Sequence, residues 1–184
     1  MTILVDIDGV IFNTQEVLLN WLNEVYKTDY VLDDITSYDW FDKTFDHPWE
    51  IMKFDEFWNK VKANKQAIYY ILKWKHEGHT IKFVTASYYH RSLPFKIHKL
   101  LDCFNGEFDD KDVIICHDKG MVRGDLLIDD CFDNVKRFIK MDCEQHGILY
   151  LQPWNVLPYF NYGLVGVNCW FVLDKWIQFI DSEK

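Results

Sequence analysis

The chain has 184 residues, of which 49% are apolar and 17% aromatic, enough for one folded domain with a substantial core. Its formal charge of −9, with lysine and arginine scattered among a larger number of acids, excludes a general grip on polymeric DNA or RNA. The five cysteines (Cys103, Cys116, Cys131, Cys143 and Cys169) form no C-x-x-C pair, and no window approaches 18 apolar residues. Neither a disulfide framework, a zinc motif nor a membrane span is therefore expected, and the expected location is cytoplasmic.

The elements follow in order. "TILVDI" is a short β-branched run that predicts a buried strand. Asn13 followed by Glu16 has the spacing of a capping box, and Val17, Leu18, Trp21, Leu22 and Val25 then share one helical face. From about 28 to 65 the pattern loosens into a stretch rich in acids and aromatics. Within it, Phe54, Phe57, Trp58 and Val61 have helical spacing. A regular alternation follows: a helix over "AIYYILKWKHEG" ending at Gly78, a strand "TIKFVTAS", and a helix "SLPFKIHKLLDCF" with Ser92 as cap. After it come a strand and loop "DVIICHDKG", a strand "GDLLIDD", a helix "FDNVKRFIKMDCEQHG", a strand "GILYLQPWN" and a closing helix "WFVLDKWIQFI". Strands alternating with helices predict an α/β fold, a Rossmann-like three-layer arrangement around a parallel sheet. In such sheets ligands bind beyond the carboxyl ends of the strands. The polar residues fall there: Asp6 and Asp8 after the first strand, Thr85 and Ser87 after the second, Lys119 after the third, Asp129 and Asp130 after the fourth.

Four aspartates in one cleft would repel one another unless a cation were present, and hard oxygen ligands favour Mg²⁺ over zinc. Lys119, the Thr85 hydroxyl and backbone N–H groups around Ile7 to Gly9 and at Ala86 suit a phosphoryl group. The D-x-D spacing separates two roles. Asp6 can attack phosphorus as a carboxylate nucleophile, and Asp8 can protonate the leaving oxygen and then deprotonate water. Read alone, Asp6 and Asp8 would also suit a turn, and Asp129 and Asp130 a helix cap.

"DIDGV", "FVTAS", "DKG" and "LLIDD", in that order, resemble the four motifs of haloacid dehalogenase-like phosphatases. "IICHDKGMVRGDLLIDD" and "QPWN" resemble the 5′(3′)-deoxyribonucleotidase branch of that superfamily. The resemblance implies Asp6 as nucleophile and Asp8 as acid/base. It implies Mg²⁺ held by Asp6, the Asp8 carbonyl and Asp130, with Asp129 in support, and phosphate bound by Thr85, Ala86 and Lys119. It also implies a small helical cap inserted after the first strand, with residues 15–75 as cap and 1–14 and 76–184 as core. Two positions depart from the branch: Thr85-Ala86-Ser87 stands where Thr-Ser-Pro is usual, and His117 where arginine is common.

Trp40, Phe41 and Trp49 fit either a stacking platform for a nucleobase or the core of the cap. His90 and Arg91, just after the second motif, read as solvated surface. The expected reaction is Mg²⁺-dependent removal of phosphate from deoxyribonucleoside monophosphates, by a monomer or a homodimer. The alternatives are a phosphatase of another small phosphomonoester, such as a sugar phosphate, or an inactive binding scaffold.

Overall fold

A computed structural model of the chain describes residues 1–86, 92–141, 144–156 and 164–183. β1 (Thr2–Val5) leads into α1 (Thr14–Tyr26), and the segment up to the next strand holds α2 (Trp40–Thr44), α3 (Asp55–Lys60) and α4 (Lys65–His76) with short 3-10 turns between them. β2 (Thr80–Thr85), α5 (Leu93–Asp102), β3 (Val113–Ile115), β4 (Leu126–Asp129), α6 (Phe132–Met141), β5 (His146–Tyr150), β6 (Val165–Val167) and α7 (Trp170–Ser182) complete the described elements.

The six strands form one parallel sheet in the order β3-β2-β1-β4-β5-β6. Alternate residues of β1 go to opposite faces, as the two-residue period of a strand requires. Ile3 and Val5 join a large apolar cluster with Ile81, Phe83, Leu126, Ile128, Trp74 of α4 and Trp170 of α7. Leu4 joins Val84, Leu127 and Phe138 of α6 on the other side. Helices thus cover both faces, and the strands are buried enough to read as continuous apolar runs. α6 lies so close to β5 that a Cβ on Gly147 would come within 2.7 Å of the side chains of Val135 and Ile139.

Three sequence expectations are refined. β6 was absent from the expected strands; it is three residues long with Gly166 at its centre, too short to display a period. Asn13 does not cap α1 with its side chain. Its Oδ1 instead accepts from the Lys62 N–H at 2.7 Å and its Nδ2 donates to Glu16 at 2.7 Å, tying the start of α1 to the chain after α3. Ser92 likewise precedes α5 without a side-chain cap. The four described cysteines, Cys103, Cys116, Cys131 and Cys169, are free thiols, and Cys143 lies outside the described residues.

Candidate active site

The strand order reverses between β1 and β4, and the two Asp-tipped strands are direct neighbours there. The Asp6 N–H continues the β1–β4 ladder to the Ile128 carbonyl at 2.9 Å, which fixes where the carboxylate emerges. Asp6 Oδ1 accepts from the Ile7 N–H at 2.7 Å and pairs with Lys119 Nζ at 2.7 Å. The same ammonium pairs with Asp129 Oδ2 at 2.7 Å. Lys119 is buried on the 3-10 turn Lys119–Met121, whose preceding Asp118 side chain accepts from the Gly120 N–H. Burial works against its charge, but Asp129 and then Asp6 outweigh that penalty and raise its pKa, so it stays an ammonium.

The two adjacent aspartates of β4 have different surroundings. Asp129 is saturated: beside Lys119 it accepts from the Cys131 N–H at 2.7 Å and from Asn134 Nδ2 at 3.2 Å. In Asp130, Oδ2 accepts from Trp154 Nε1 at 2.9 Å and Gln15 Nε2 at 3.4 Å, while Oδ1 is buried and meets no donor among the described residues. Asn155 Nδ2 also donates to the Asp130 backbone carbonyl at 2.8 Å. Carboxylate oxygens of Asp6, Asp129 and Asp130 lie within 4.8 Å of one another. Burial first, then the neighbouring aspartates, pushes the Asp130 carboxyl well above its ordinary value. A buried, donorless carboxylate oxygen in a three-aspartate cluster fits a hard divalent cation. Gly9 makes room for this arrangement. Its φ is +73°, and a Cβ there would run into Asp130 Oδ2.

Asp8 is gripped from two helices: Oδ1 accepts from the Thr14 hydroxyl of α1 at 2.7 Å, and Oδ2 pairs with Lys96 of α5. Lys96 also reaches Thr85 Oγ1 at 3.2 Å and the Ala86 carbonyl at 3.3 Å. The expected residues at the tips of β1, β2 and β4 and on the Lys119 turn therefore converge. Asp6, Asp8, Thr85, Ala86 and Lys119 line one cavity of about 510 Å³.

The aromatics divide. Trp49 lines the cavity and donates its Nε1 to Asp42 at 2.8 Å. Trp40 and Phe41 are not among the lining residues. Phe41 is fully buried, packed edge-on between Trp40 and Trp49 at ring separations of 5.4 Å, and Trp40 leans on Tyr30 and Phe45. Phe57 and Trp58 are core. His117 lines the cavity, whereas Ser87, His90 and Arg91 lie outside the described residues.

Sequence reading missed Gln15, Tyr38 and Lys96. Lys96 falls on the apolar stripe of α5, three residues after Leu93 and four before Leu100, and a charge on a buried stripe was the available signal. Tyr38 lines the cavity and keeps half of its surface exposed, and burial and then the Asp130 charge push its phenol well above the usual tyrosine range. It sits in an irregular segment where no periodicity marks it.

A family model, "5' nucleotidase, deoxy (Pyrimidine), cytosolic type C protein", matches residues 1–161 of the chain. The chain belongs to this family. It is accordingly a phosphatase of the nucleotidase type, and its fold is that of the haloacid dehalogenase-like hydrolases. Among solved structures, a hydrolase of that superfamily from Deinococcus radiodurans R1, crystallised with bound phosphate and sodium, superposes at a TM-score of 0.65. It is 12% identical and the match covers 94% of this chain and 92% of that one. A hydrolase from Pseudomonas syringae gives 0.55 at 12% identity, covering 90% and 91% of the two chains. A hydrolase of the superfamily from Ehrlichia chaffeensis gives 0.51 at 13% identity, covering 97% and 96%. No curated protein sequence matches the chain. Among the described residues no helix is long and apolar enough to cross a membrane.

Proposed function

We propose that this nucleotidase-family phosphatase hydrolyses deoxyribonucleoside monophosphates through a phosphorylated Asp6. The observation that carries the reading is one cavity lined both by Asp6, Asp8, Thr85 and Lys119 and by Tyr38, Trp49 and Met52, with Cys131 after β4 reaching it while Asp129 and Asp130 lie behind the lining. An oxygen of Asp6 attacks phosphorus, the bond from phosphorus to the ester oxygen breaks, and Asp8 gives its proton to the departing alkoxide. Water then attacks the same phosphorus, Asp8 takes the water proton, and the Asp6–phosphorus bond breaks to release inorganic phosphate. Lys119, the Thr85 hydroxyl and the Ala86 N–H balance the charge on the phosphoryl oxygens. Asp6, Asp130 and the Asp8 carbonyl would hold Mg²⁺, with Asp129 fixed by Lys119 in support. Bound there, the metal supplies positive charge between the nucleophile and the phosphate.

In this reading the base stacks on Trp49 beside Tyr38, while Trp40 and Phe41 form the layer behind. The cap is drawn from residues 15–75. Within that segment α4 packs on β2 and α7, and the stretch of 3-10 turns and short helices before it contributes Tyr38, Asp39, Asp42, Trp49 and Met52 to the cavity lining. The experiment is a phosphate-release screen over nucleoside monophosphates and sugar phosphates with and without Mg²⁺. Turnover is expected to be Mg²⁺-dependent, highest for deoxyribonucleotides, and abolished in Asp6→Asn with melting temperature retained. Faster release from a sugar phosphate would redirect the substrate, and equal rates in wild type and Asp6→Asn would remove the nucleophile.

A further inference from the structure

Lys96 is a charged side chain placed inside the fold with no role in the chemistry above. It is 3% exposed, and Trp58 of α3 stands over it with its ring centroid 5.7 Å from Nζ. A buried ammonium is tolerated only where its donors are satisfied. An ammonium has three N–H bonds, and three acceptors surround this one: Asp8 Oδ2, Thr85 Oγ1 and the Ala86 carbonyl. With all three donors engaged, none is left for a substrate oxygen. That separates Lys96 from Lys119, whose two carboxylate partners leave a third N–H for a phosphoryl group.

We propose that Lys96 is a positioning residue, one that holds the Asp8 carboxylate at the leaving oxygen and ties it to the tip of β2. The geometry supports this directly. Each Asp8 oxygen has one partner, Thr14 from α1 on Oδ1 and Lys96 from α5 on Oδ2, so the plane of the carboxylate is set from two directions. By bonding Thr85 and Ala86 with its remaining donors, Lys96 also fixes Asp8 relative to the phosphate-binding end of β2. Trp58 of α3 covers the buried ammonium, which limits the access of water to it. Removing Lys96 leaves Asp8 in the cavity held by Thr14 alone, so its second oxygen is no longer fixed and proton delivery to the leaving group loses its set orientation.

The inference rests on the acid/base reading of Asp8, and the test separates the two. Phenyl phosphate and 4-nitrophenyl phosphate differ little in size, but the phenolate leaves well only if protonated whereas 4-nitrophenolate leaves unaided. The values of kcat/KM for both esters are measured with Mg²⁺ in wild type, Asp8→Asn, Lys96→Met and Lys96→Arg. Lys96→Met is expected to lose about a hundredfold on phenyl phosphate and less than about tenfold on 4-nitrophenyl phosphate, within the range of general acid catalysis. Lys96→Arg, keeping the charge, is expected to recover part of the difference. Partial unfolding lowers both rates alike, so the ratio of the two esters reports on positioning in whatever fraction folds. If Asp8→Asn discriminates between the esters and Lys96→Met loses equally on both, Lys96 does not act through Asp8 and the inference fails alone. If Asp8→Asn itself loses equally on both, the acid/base reading fails with it.

Discussion

Burial pushes the Asp6 carboxyl from 3.8 up to about 7; Lys119 opposes the shift, while Asp129 and Asp8 add to it. A carboxyl whose pKa is raised in the folded state binds its proton more tightly there than in the unfolded chain. The contribution of Asp6 to stability without metal therefore falls as pH rises from near 4 to near 7. Asp130 is shifted in the same direction, again by burial first. Cations bind the ionised carboxylates, so Mg²⁺ should raise the melting temperature clearly at pH 8 and little at pH 5. Scanning fluorimetry with and without Mg²⁺ at the two pH values checks this, and equal shifts at both would contradict the carboxylate cluster as the binding site. These residues were legible in the sequence because the candidate aspartates follow directly on aliphatic runs. Their partners were not. Gln15, Tyr38 and Lys96 reach the site from helices and loops whose sequence carries no spacing tied to the strand tips.

At the level of elements, Asp130 is held by α1 through Gln15 and by the 3-10 turn Pro153–Asn155, and Gly9 after β1 leaves room for it. The 3-10 turn was visible as "QPWN", but only the fold reveals that its Trp154 and Asn155 donate to Asp130 while Gln152 Nε2 donates to the Gly9 carbonyl at 2.6 Å. Gly9→Ala forces a Cβ into Asp130 Oδ2 at a positive φ and is expected to cost about 2–4 kcal/mol, with phosphate release falling more steeply than stability. Gly78 also has a positive φ, +94°, but open space where a Cβ would sit, so Gly78→Ala should cost only about 1–2 kcal/mol and leave kcat/KM unchanged. Urea midpoints and phosphate-release rates on the two variants compare strain alone with strain at the site. The alternation of helices and strands was readable from period and punctuation from β2 to β5. β6 was not, because three residues around a glycine carry no such signal.

Over the whole molecule, the last helix is locked to the first half of the chain by Asp174. Buried on α7, it accepts from Trp74 Nε1 at 2.9 Å and Lys73 Nζ at 2.6 Å on α4, and from Gln178 at 3.1 Å. Asp174→Ala leaves the Trp74 N–H without its acceptor and is expected to cost about 1–3 kcal/mol in urea unfolding, with KM unaltered because the clamp lies away from the cavity. Composition and charge argue against membrane-span and nucleic-acid-polymer readings. They could not place Trp40, Phe41 and Trp49 relative to the cavity, since the segment carrying them has neither strand nor long-helix periodicity.

The neighbouring of β1 and β4 bears on how the protein becomes competent during synthesis. Asp6 and Asp8 leave the ribosome well before Lys119, Asp129 and Asp130. Until β4 docks beside β1, Asp8 can meet Lys96 of α5, but Asp6 lacks Asp129, Asp130 and a Lys119 held between carboxylates. A nascent chain released before β4 therefore carries Asp6 without the two further carboxylates that would gather a cation with it. Chemical competence arrives in one late step, and a partly made chain is expected to be silent towards phosphate esters rather than weakly active.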